Sequence, residues 1–271
     1  MEFNLKKSRI WQALKWERVF NFIIFSKKLF FVLFIIVFLL FLYAFIPQNF
    51  NTETQKLLLG LSTIFLFITI GSLYKERFFN NLKNPKVKYM IEQAILNPDQ
   101  YNLAEFLNFE VAKSIWKTIK FCKKKNISPI PSEVLLYFLL DKKEQTNFIF
   151  SRGLLGLDEF RKELKAHINN IKKEQFKQVF SFDSEKVILN SLKIAQKKGR
   201  NRIKIQDIIL SQSQINEIFK KKLIEKDLKQ EDIEYLADWL SSLEKKILDG
   251  KKWWSWKNLI KKGSLAKEWT S

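Results

Sequence analysis

The chain has 271 residues, and its 48 Lys and Arg against 28 Asp and Glu give a formal net charge of +20. The small number of breakers, 7 Gly and 5 Pro beside 26 Phe, favours long helices and argues against a turn-rich β fold. The charge favours anionic partners such as lipid headgroups, nucleic acid or acidic proteins, and the single cysteine, Cys122, excludes an internal disulfide.

Two apolar runs near the N-terminus predict a transmembrane hairpin. The first, residues 29–46, contains no charged residue, and the second, residues 57–74, contains small residues that permit close helix packing in lipid. A cleaved signal peptide is the alternative for the first run, but that run is too long and begins too late. A buried helix of a soluble protein is the alternative for the second run.

Lysine and arginine are distributed unevenly around this hairpin. Seven precede the first run within residues 6–28, five follow the second run within residues 75–88, and the loop of residues 47–56 has one. The positive-inside rule therefore predicts a two-pass protein of the bacterial plasma membrane with both termini cytoplasmic. Residues 1–28 are predicted to be a basic, amphipathic cytosolic segment, either as an interfacial helix or as an extension of the first span.

Beyond residue 85 the sequence repeats itself with an offset of 73 residues. Residues 108–136 align without a gap with residues 181–209, and lysines recur at equivalent positions, for example Lys113 and Lys186. Apolar residues recur at steps of three and four in both segments, so each copy is predicted to begin with an amphipathic helix.

Each copy is predicted to contain four helices. The first helix ends before a residue suited to a left-handed C-cap, Asn126 in copy one and Gly199 in copy two. In copy one the second helix has Ser132 as its expected N-cap, and it is apolar on most sides, which places it in the core. The fourth helix begins with an acidic pair, Asp158-Glu159 or Glu231-Asp232, which suits the helix dipole.

The predicted boundaries follow from this repeat. We expect a domain over about residues 85–240, with copy one at residues 102–170 and copy two at residues 178–240. A basic, Trp-rich linker or tail is expected to follow at residues 241–271. Its Trp253, Trp254 and Trp256 suit either an interfacial membrane contact or packing beneath a partner domain.

This layout resembles the Clp repeat domain, the N-terminal substrate-binding domain of Clp-type AAA+ unfoldases. That family has two tandem four-helix repeats, each with a Phe/Tyr-Thr pair, an A-x-x-x-L helix, a Gly-His turn and an Ile-Gly-Thr-Glu-His-Leu-Leu helix start. Copy two matches with Phe180-Ser181, the run VILNSLKIAQKKG and residues 203–210, and copy one matches with residues 130–136. The resemblance covers about residues 102–240, and its signature polar residues have diverged. It implies two tandem four-helix repeats. With the hairpin predicted from the two apolar runs, the expected fold is all-α, a two-helix transmembrane hairpin followed by the two repeats.

The resemblance also implies a substrate-binding site for a phosphorylated arginine in each repeat. A Thr at the start of the first helix would face the phosphate, and this position is Asn108 or Ser181 here. A Glu at the start of the second helix would pair with the guanidinium, and this position is Glu133 or Gln206 here. Only Glu133 keeps its charge and only Ser181 keeps a hydroxyl. Ordinary helix caps and first-turn residues are the alternative, because Ser, Asn and Glu are common at these positions.

No catalytic or metal site is predicted, and we expect neither enzyme activity nor a cofactor. The chain has no G-x-x-x-x-G-K-[ST] phosphate loop. His167, the only histidine, lies in a polar run that predicts a surface position, and Cys122 lies in an apolar stripe as a small core residue. The lysine clusters at 123–125, 197–198 and 220–222 are typical of solvated helix ends, and contacts with nucleic acid or with an anionic leaflet are the alternatives.

The leading hypothesis is a membrane-tethered recognition module that binds client proteins or adaptors and passes them to an AAA+ ATPase ring and protease. Membrane lipids are the other expected partner, and nucleic acid is not expected, because no nucleic-acid-binding motif accompanies the lysines. The tail resembles a linker into an ATPase domain, so a fragment of a longer unfoldase is favoured over a stand-alone adaptor. The alternative function is a basic membrane-bound scaffold for nucleic acid or anionic lipid. An intramembrane enzyme lacks support, because the spans carry no charged residue.

Overall fold

A computed structural model describes residues 1–45, 51–141 and 144–253 of the chain. These residues form eleven α-helices and no β-strand, which confirms the predicted all-α class. The helices are α1 (Ile10–Phe45), α2 (Thr52–Lys83), α3 (Ile91–Leu96), α4 (Phe109–Lys125), α5 (Ser132–Leu139), α6 (Glu144–Arg152), α7 (Leu157–Asn169), α8 (Phe182–Lys197), α9 (Ile205–Ile215), α10 (Glu217–Glu225) and α11 (Gln230–Trp253).

Helices α1 and α2 are long and apolar enough to span a membrane. They contain the two predicted spans, except that Ile46 and the loop residues 47–50 lie outside the described residues. The helices run antiparallel, and Gln55 near the start of α2 donates a hydrogen bond of 2.9 Å to the carbonyl oxygen of Ala44. Only 6% of the most apolar window of α1 and 17% of that of α2 is buried. Both windows therefore lack the protein cover of a soluble core helix.

The N-terminal basic segment forms no separate interfacial helix. Residues 10–28 are the first half of α1. Of the two alternatives for this segment, the structure therefore has the continuous extension of the first span. Together with residues 75–83 of α2 they form a pair of helix ends that we call the stalk. Phe20 of α1 stacks on Phe79 of α2 with ring centroids 4.5 Å apart, and Phe79 is fully buried. The stalk is therefore packed into the helical domain and is not a free linker.

Copy one consists of α4 to α7 and copy two consists of α8 to α11. Every helix of copy two begins 73 residues after its counterpart. The pairs of first residues are Phe109 and Phe182, Ser132 and Ile205, Glu144 and Glu217, and Leu157 and Gln230. A constant offset over four helices and three loops shows that both copies use the same local construction, loop lengths included.

The turns of the two copies correspond in the same way. The predicted left-handed residues are confirmed, with φ of 53° at Asn126 and 64° at Gly199. A second left-handed pair, Leu154 at φ 54° and Asp227 at φ 52°, has the same offset. Because residues other than glycine adopt this conformation only at a cost, the shared positions point to a shared turn geometry.

Two local expectations differ from the structure. Ser132 is the first residue of α5 and not its N-cap, which is Pro131. The Ser132 hydroxyl instead accepts a hydrogen bond of 2.9 Å from the side-chain amide of Asn216 in copy two. Helix α11 continues past residue 240 to Trp253, and the tail from Trp254 onward, with Trp256, lies outside the described residues.

The core joins both copies. The predicted core role of α5 is confirmed, since Val134, Leu135 and Leu136 are fully buried. Phe150 and Phe219 lie at the centre, one from each copy, with ring centroids 5.7 Å apart. Burial of aromatic rings from both copies in one cluster makes the eight helices a single hydrophobic unit.

Candidate functional site

Two short backbone pairings connect the copies reciprocally. In the first, the Asn108 N–H donates to the Ile203 carbonyl at 3.0 Å, and the Ile203 N–H donates to the Phe106 carbonyl at 2.7 Å. In the second, the Ser181 N–H donates to the Ile130 carbonyl at 2.9 Å, and the Ile130 N–H donates to Val179 at 2.8 Å. The second set is the first with every residue exchanged for its equivalent in the other copy. The copies are therefore related by an approximate twofold axis.

This pairing determines which of the four residues that the family resemblance singles out are neighbours in the fold. The start of α4, with Asn108, lies beside the entry to α9, which carries Gln206. The start of α8, with Ser181, lies beside the entry to α5, which carries Glu133. Each cap position therefore faces the second helix of the other copy.

Asn108 and Ser181 both act as helix N-caps. The Asn108 side chain accepts a hydrogen bond of 2.8 Å from the Val111 N–H, and the Ser181 hydroxyl accepts one of 3.2 Å from the Ser184 N–H. The Ser181 hydroxyl also donates to the Ser184 hydroxyl at 3.1 Å. Both side chains thus satisfy helix N-termini, as ordinary caps do.

The two second-helix residues differ in accessibility. Glu133 is half-buried in the first turn of α5. Gln206 is only 1% exposed, and its amide donates to Ser241 and Glu244 of α11, both at 3.3 Å. The long α11 covers Gln206, so Glu133 is the more accessible of the two second-helix residues.

The outer face of α4 is covered by the stalk. We call this surface the α4 face, and it comprises Phe109, Lys113, Trp116 and Lys120. The ring of Trp11 in α1 meets Trp116 edge-on with centroids 4.6 Å apart, and Lys113 forms an ion pair with Glu17 of α1. Aromatic packing and charge pairing thus dock the stalk on copy one.

The α2 side of the stalk covers the start of the same face. Phe109 is only 6% exposed, and Phe79 of α2 packs edge-on against it with ring centroids 6.1 Å apart. Lys83 places its ammonium 5.1 Å from the centre of the Phe109 ring. Both stalk helices therefore contribute to the cover.

The equivalent surface of copy two is open. We call it the α8 face, and it comprises Phe182, Lys186, Leu189 and Lys193. Phe182 is 71% exposed, against 6% for Phe109, and the ammonium of Lys186 lies 4.1 Å from the centre of its ring. Within the part of the chain that the structure describes, no carboxylate pairs with Lys186 or Lys193.

A groove runs along the α8 face. Its volume is about 410 Å³, and its lining comprises Lys186, Leu189, Asn190, Lys193, Gln214 and Ile215. The lining combines apolar Leu189 and Ile215 with the cations Lys186 and Lys193, and an aromatic residue and a lysine likewise bind Trp11 and Glu17 on copy one. The aligned repeat already shows that both faces carry a lysine, because Lys113 and Lys186 are equivalent. Which of the two faces is uncovered depends on where the stalk packs.

Cys122 and His167, the other residues considered in the sequence, lie where a structural or surface role is expected. Cys122 is fully buried, and burial raises the pKa of its thiol to about 12, which makes the thiol unreactive. His167 is exposed near the end of α7. No cluster of metal-ligating side chains exists among the residues described.

The lysine clusters differ from one another. Lys123, Lys124 and Lys125 are exposed at the end of α4, as solvated helix ends are. Lys222, in contrast, is buried, and its ammonium lies 2.6 Å from the Glu163 carboxylate, with Glu159 at 3.5 Å. This lysine joins α10 of copy two to α7 of copy one.

Comparison with known proteins gives no assignment. No protein-family model matches the chain, and the search of curated proteins finds no match.

Proposed function

We propose that the chain is a membrane-anchored protein-recognition module of the Clp repeat type. It would hold client proteins or adaptors near the membrane for an AAA+ ATPase ring and its protease, and would perform no chemistry of its own. The open α8 face carries the proposal, because its covered counterpart in the same molecule already binds a helix.

The membrane anchor is supported by α1 and α2. Their exposed apolar stretches would cost much free energy in water, about 25 cal/mol per Å², and lipid removes that cost. The lysines and arginines cluster at the stalk end of the hairpin, and by the positive-inside rule this charge bias favours a cytoplasmic location for the helical domain. The domain would thus sit close to the inner leaflet.

The Clp-type assignment is supported by the architecture. The chain has two tandem four-helix units, which is the layout of the family that the sequence resembles. Glu133, the charged and more accessible of the two second-helix residues, is the one that would pair with the guanidinium of a modified arginine. The ATPase ring would be a separate partner or a further part of a longer protein.

The occupant of the α8 face is inferred from copy one. On copy one the bound helix presents Trp11 to Trp116 and Glu17 to Lys113. The α8 face keeps the lysine and offers Leu189 as the apolar contact, with unpaired Lys193 beside it. The proposed partner is therefore an acidic amphipathic helix that carries an aromatic residue and, six positions later, a carboxylate.

A peptide derived from α1 tests this recognition. The probe has the sequence of residues 8–22 with the changes Arg9→Glu, Lys15→Glu and Arg18→Glu, and carries a fluorophore. Its binding to the full chain in lipid nanodiscs is measured by fluorescence anisotropy. We expect Lys186→Glu to weaken binding about tenfold, because it replaces an attractive charge pair with a repulsive one.

Two controls make the result specific. Lys124→Glu applies the same charge change at the exposed end of α4 and should leave binding within twofold of the wild type. A probe that also carries Glu17→Lys should bind the Lys186→Glu chain better than it binds the wild type. Equal binding by both charge variants would refute recognition at the α8 face.

The Clp assignment needs its own test. A photo-crosslinking amino acid at position 182, in protein made at its natural level in cells, should attach to an unfoldase subunit or to a protein that such a machine degrades. Identification by mass spectrometry of partners unrelated to protein unfolding would contradict the assignment, while the peptide result would still stand.

A further inference from the structure

A second groove lies on another side of the domain, between the segment that follows α2 and the loop that connects α8 to α9. Its volume is about 710 Å³. The charged residues that line it are Lys86, Lys88, Glu92, Arg200, Arg202 and Lys204. Five cations thus face one carboxylate, and Asn108 and Gln206 do not contribute. This basic groove is distinct from the sites that the family resemblance implies.

The two arginines are incompletely satisfied by the protein. Arg200 forms an ion pair with Asp207 through one terminal nitrogen, and Arg202 donates one hydrogen bond of 3.3 Å to the Leu107 carbonyl. The Nε and Nη1 atoms of Arg200 and Nη2 of Arg202 are buried and have no acceptor among the described residues. Buried donors without an acceptor carry a free-energy penalty.

The positive charge of the groove is only partly compensated. Asp207 pairs with Arg200, and Glu244 lies 2.7 Å from the ammonium of Lys204. Among the described residues, no carboxylate lies within 4 Å of Lys86, Lys88 or the Arg202 guanidinium. Burial lowers the pKa of Arg202, and the nearby charge of Glu105 opposes this shift. An anion in the groove would pair with these unpaired cations and would compensate the Arg202 guanidinium for its lost solvation.

We propose that the basic groove binds a phosphate-bearing anion. Guanidinium groups match the oxygen geometry of phosphate, and lysines add point charges around it. Lys86 and Lys88 are exposed, so their ammonium groups are free to contact a ligand held by the half-buried Arg200 and Arg202 of the same groove.

The position of the groove brings lipid within reach. From Tyr74, where the predicted span ends, α2 continues to Lys83, about 14 Å at 1.5 Å per residue, and the groove begins at the next residue. Headgroups extend about 5–7 Å beyond the hydrocarbon, and charge interactions act over about another 8–10 Å. The phosphate could therefore belong to a lipid headgroup or to a soluble molecule, and the test has to separate these sources.

The test uses the full chain in nanodiscs of phosphatidylcholine. Pyrophosphate is titrated by calorimetry into the wild type, into Lys86→Ala with Lys88→Ala, and into the matched control Lys124→Ala with Lys125→Ala. Both double variants remove two exposed positive charges, so both should fold. We expect the groove variant to bind pyrophosphate at least tenfold more weakly, and the control to bind as the wild type does.

A second arm identifies the source of the phosphate. If the natural ligand is lipid, nanodiscs with phosphatidic acid should abolish pyrophosphate binding to the wild type; if it is soluble, binding should persist there. Both outcomes support the groove as a phosphate site. Failure of the wild type to bind pyrophosphate in phosphatidylcholine, or equal loss in both double variants, would overturn the proposal. None of these results depends on the Clp-type function.

Discussion

Copy one and copy two have the same four helices but different surroundings. In copy one the α4 face is covered by the stalk, and in copy two the equivalent α8 face is open. The faces themselves are similar, since only Trp116 is replaced, by Leu189, while Lys113 remains a lysine at Lys186. The two copies thus show, within one chain, the same kind of helix face in two states: the α4 face with a helix bound and the α8 face without one.

The largest expected effect distinguishes the two phenylalanines at the helix starts. Phe109→Ala removes a ring packed between α4 and the stalk and should lower the free energy of unfolding by about 3 kcal/mol. Phe182→Ala removes an exposed ring and should change it by less than about 0.5 kcal/mol. Denaturant unfolding of both variants, followed by tryptophan fluorescence, checks this pair. Equal losses would mean that the two faces are similarly covered.

The next effect concerns Lys222, which occupies the position of the buried Ile149 in copy one. Lys222→Ala leaves the Glu159 and Glu163 carboxylates without their cation and should cost about 2 kcal/mol. Lys222→Met places an apolar side chain where copy one has Ile149, and this packing should recover about half of the lost stability. If Lys222→Ala is neutral in the same unfolding measurement, the lysine does not join the two copies energetically.

The pH dependence of Lys222 gives a sharper test. The hydrogen bond with Glu163, followed by the charges of Glu163 and Glu159, raises the pKa of Lys222 above its ordinary value of 10.5. A folded pKa above the unfolded one means that the stabilisation is fully present below pH 10.5 and is lost as pH rises through the folded value. The wild type should therefore lose more stability above pH 10.5 than Lys222→Met does. Parallel pH profiles would contradict this.

A smaller effect than that at Lys222 is expected at Cys122, whose counterpart in copy two is Ala195. Both residues are fully buried, so Cys122→Ala should cost about 1 kcal/mol at most. Since burial raises the pKa of the thiol to about 12, maleimide should label native Cys122 at least about a hundredfold more slowly than the unfolded chain. Fast labelling of the native protein would show that this part of copy one opens.

The sequence was informative where local chemistry determines structure. Left-handed turns at Asn126 and Gly199, the all-α class and the apolar character of α5 follow from residue type and periodicity. The N-cap assignment of Ser132 was wrong because its hydroxyl is engaged by Asn216 of the other copy. That contact is tertiary, and spacing along the chain carries no information about it.

The site was only partly predictable for the same reason. The resemblance to the Clp repeat domain singled out Asn108, Glu133, Ser181 and Gln206, but which of them are neighbours across the copies depends on the reciprocal backbone bonds. The burial of Gln206 depends on α11, which continues over it. The open α8 face depends on where the stalk packs, and one stalk can cover only one of two similar faces.

Paired cysteines test the central claim most directly. In a Cys122→Ala background, Phe109→Cys and Phe182→Cys report the accessibility of equivalent positions to maleimide. The account predicts that position 182 in the purified chain labels rapidly and position 109 slowly, and that position 182 becomes protected when the acidic α1-derived peptide is added. Equally rapid labelling of both positions, or no protection of position 182 by saturating peptide, would contradict it.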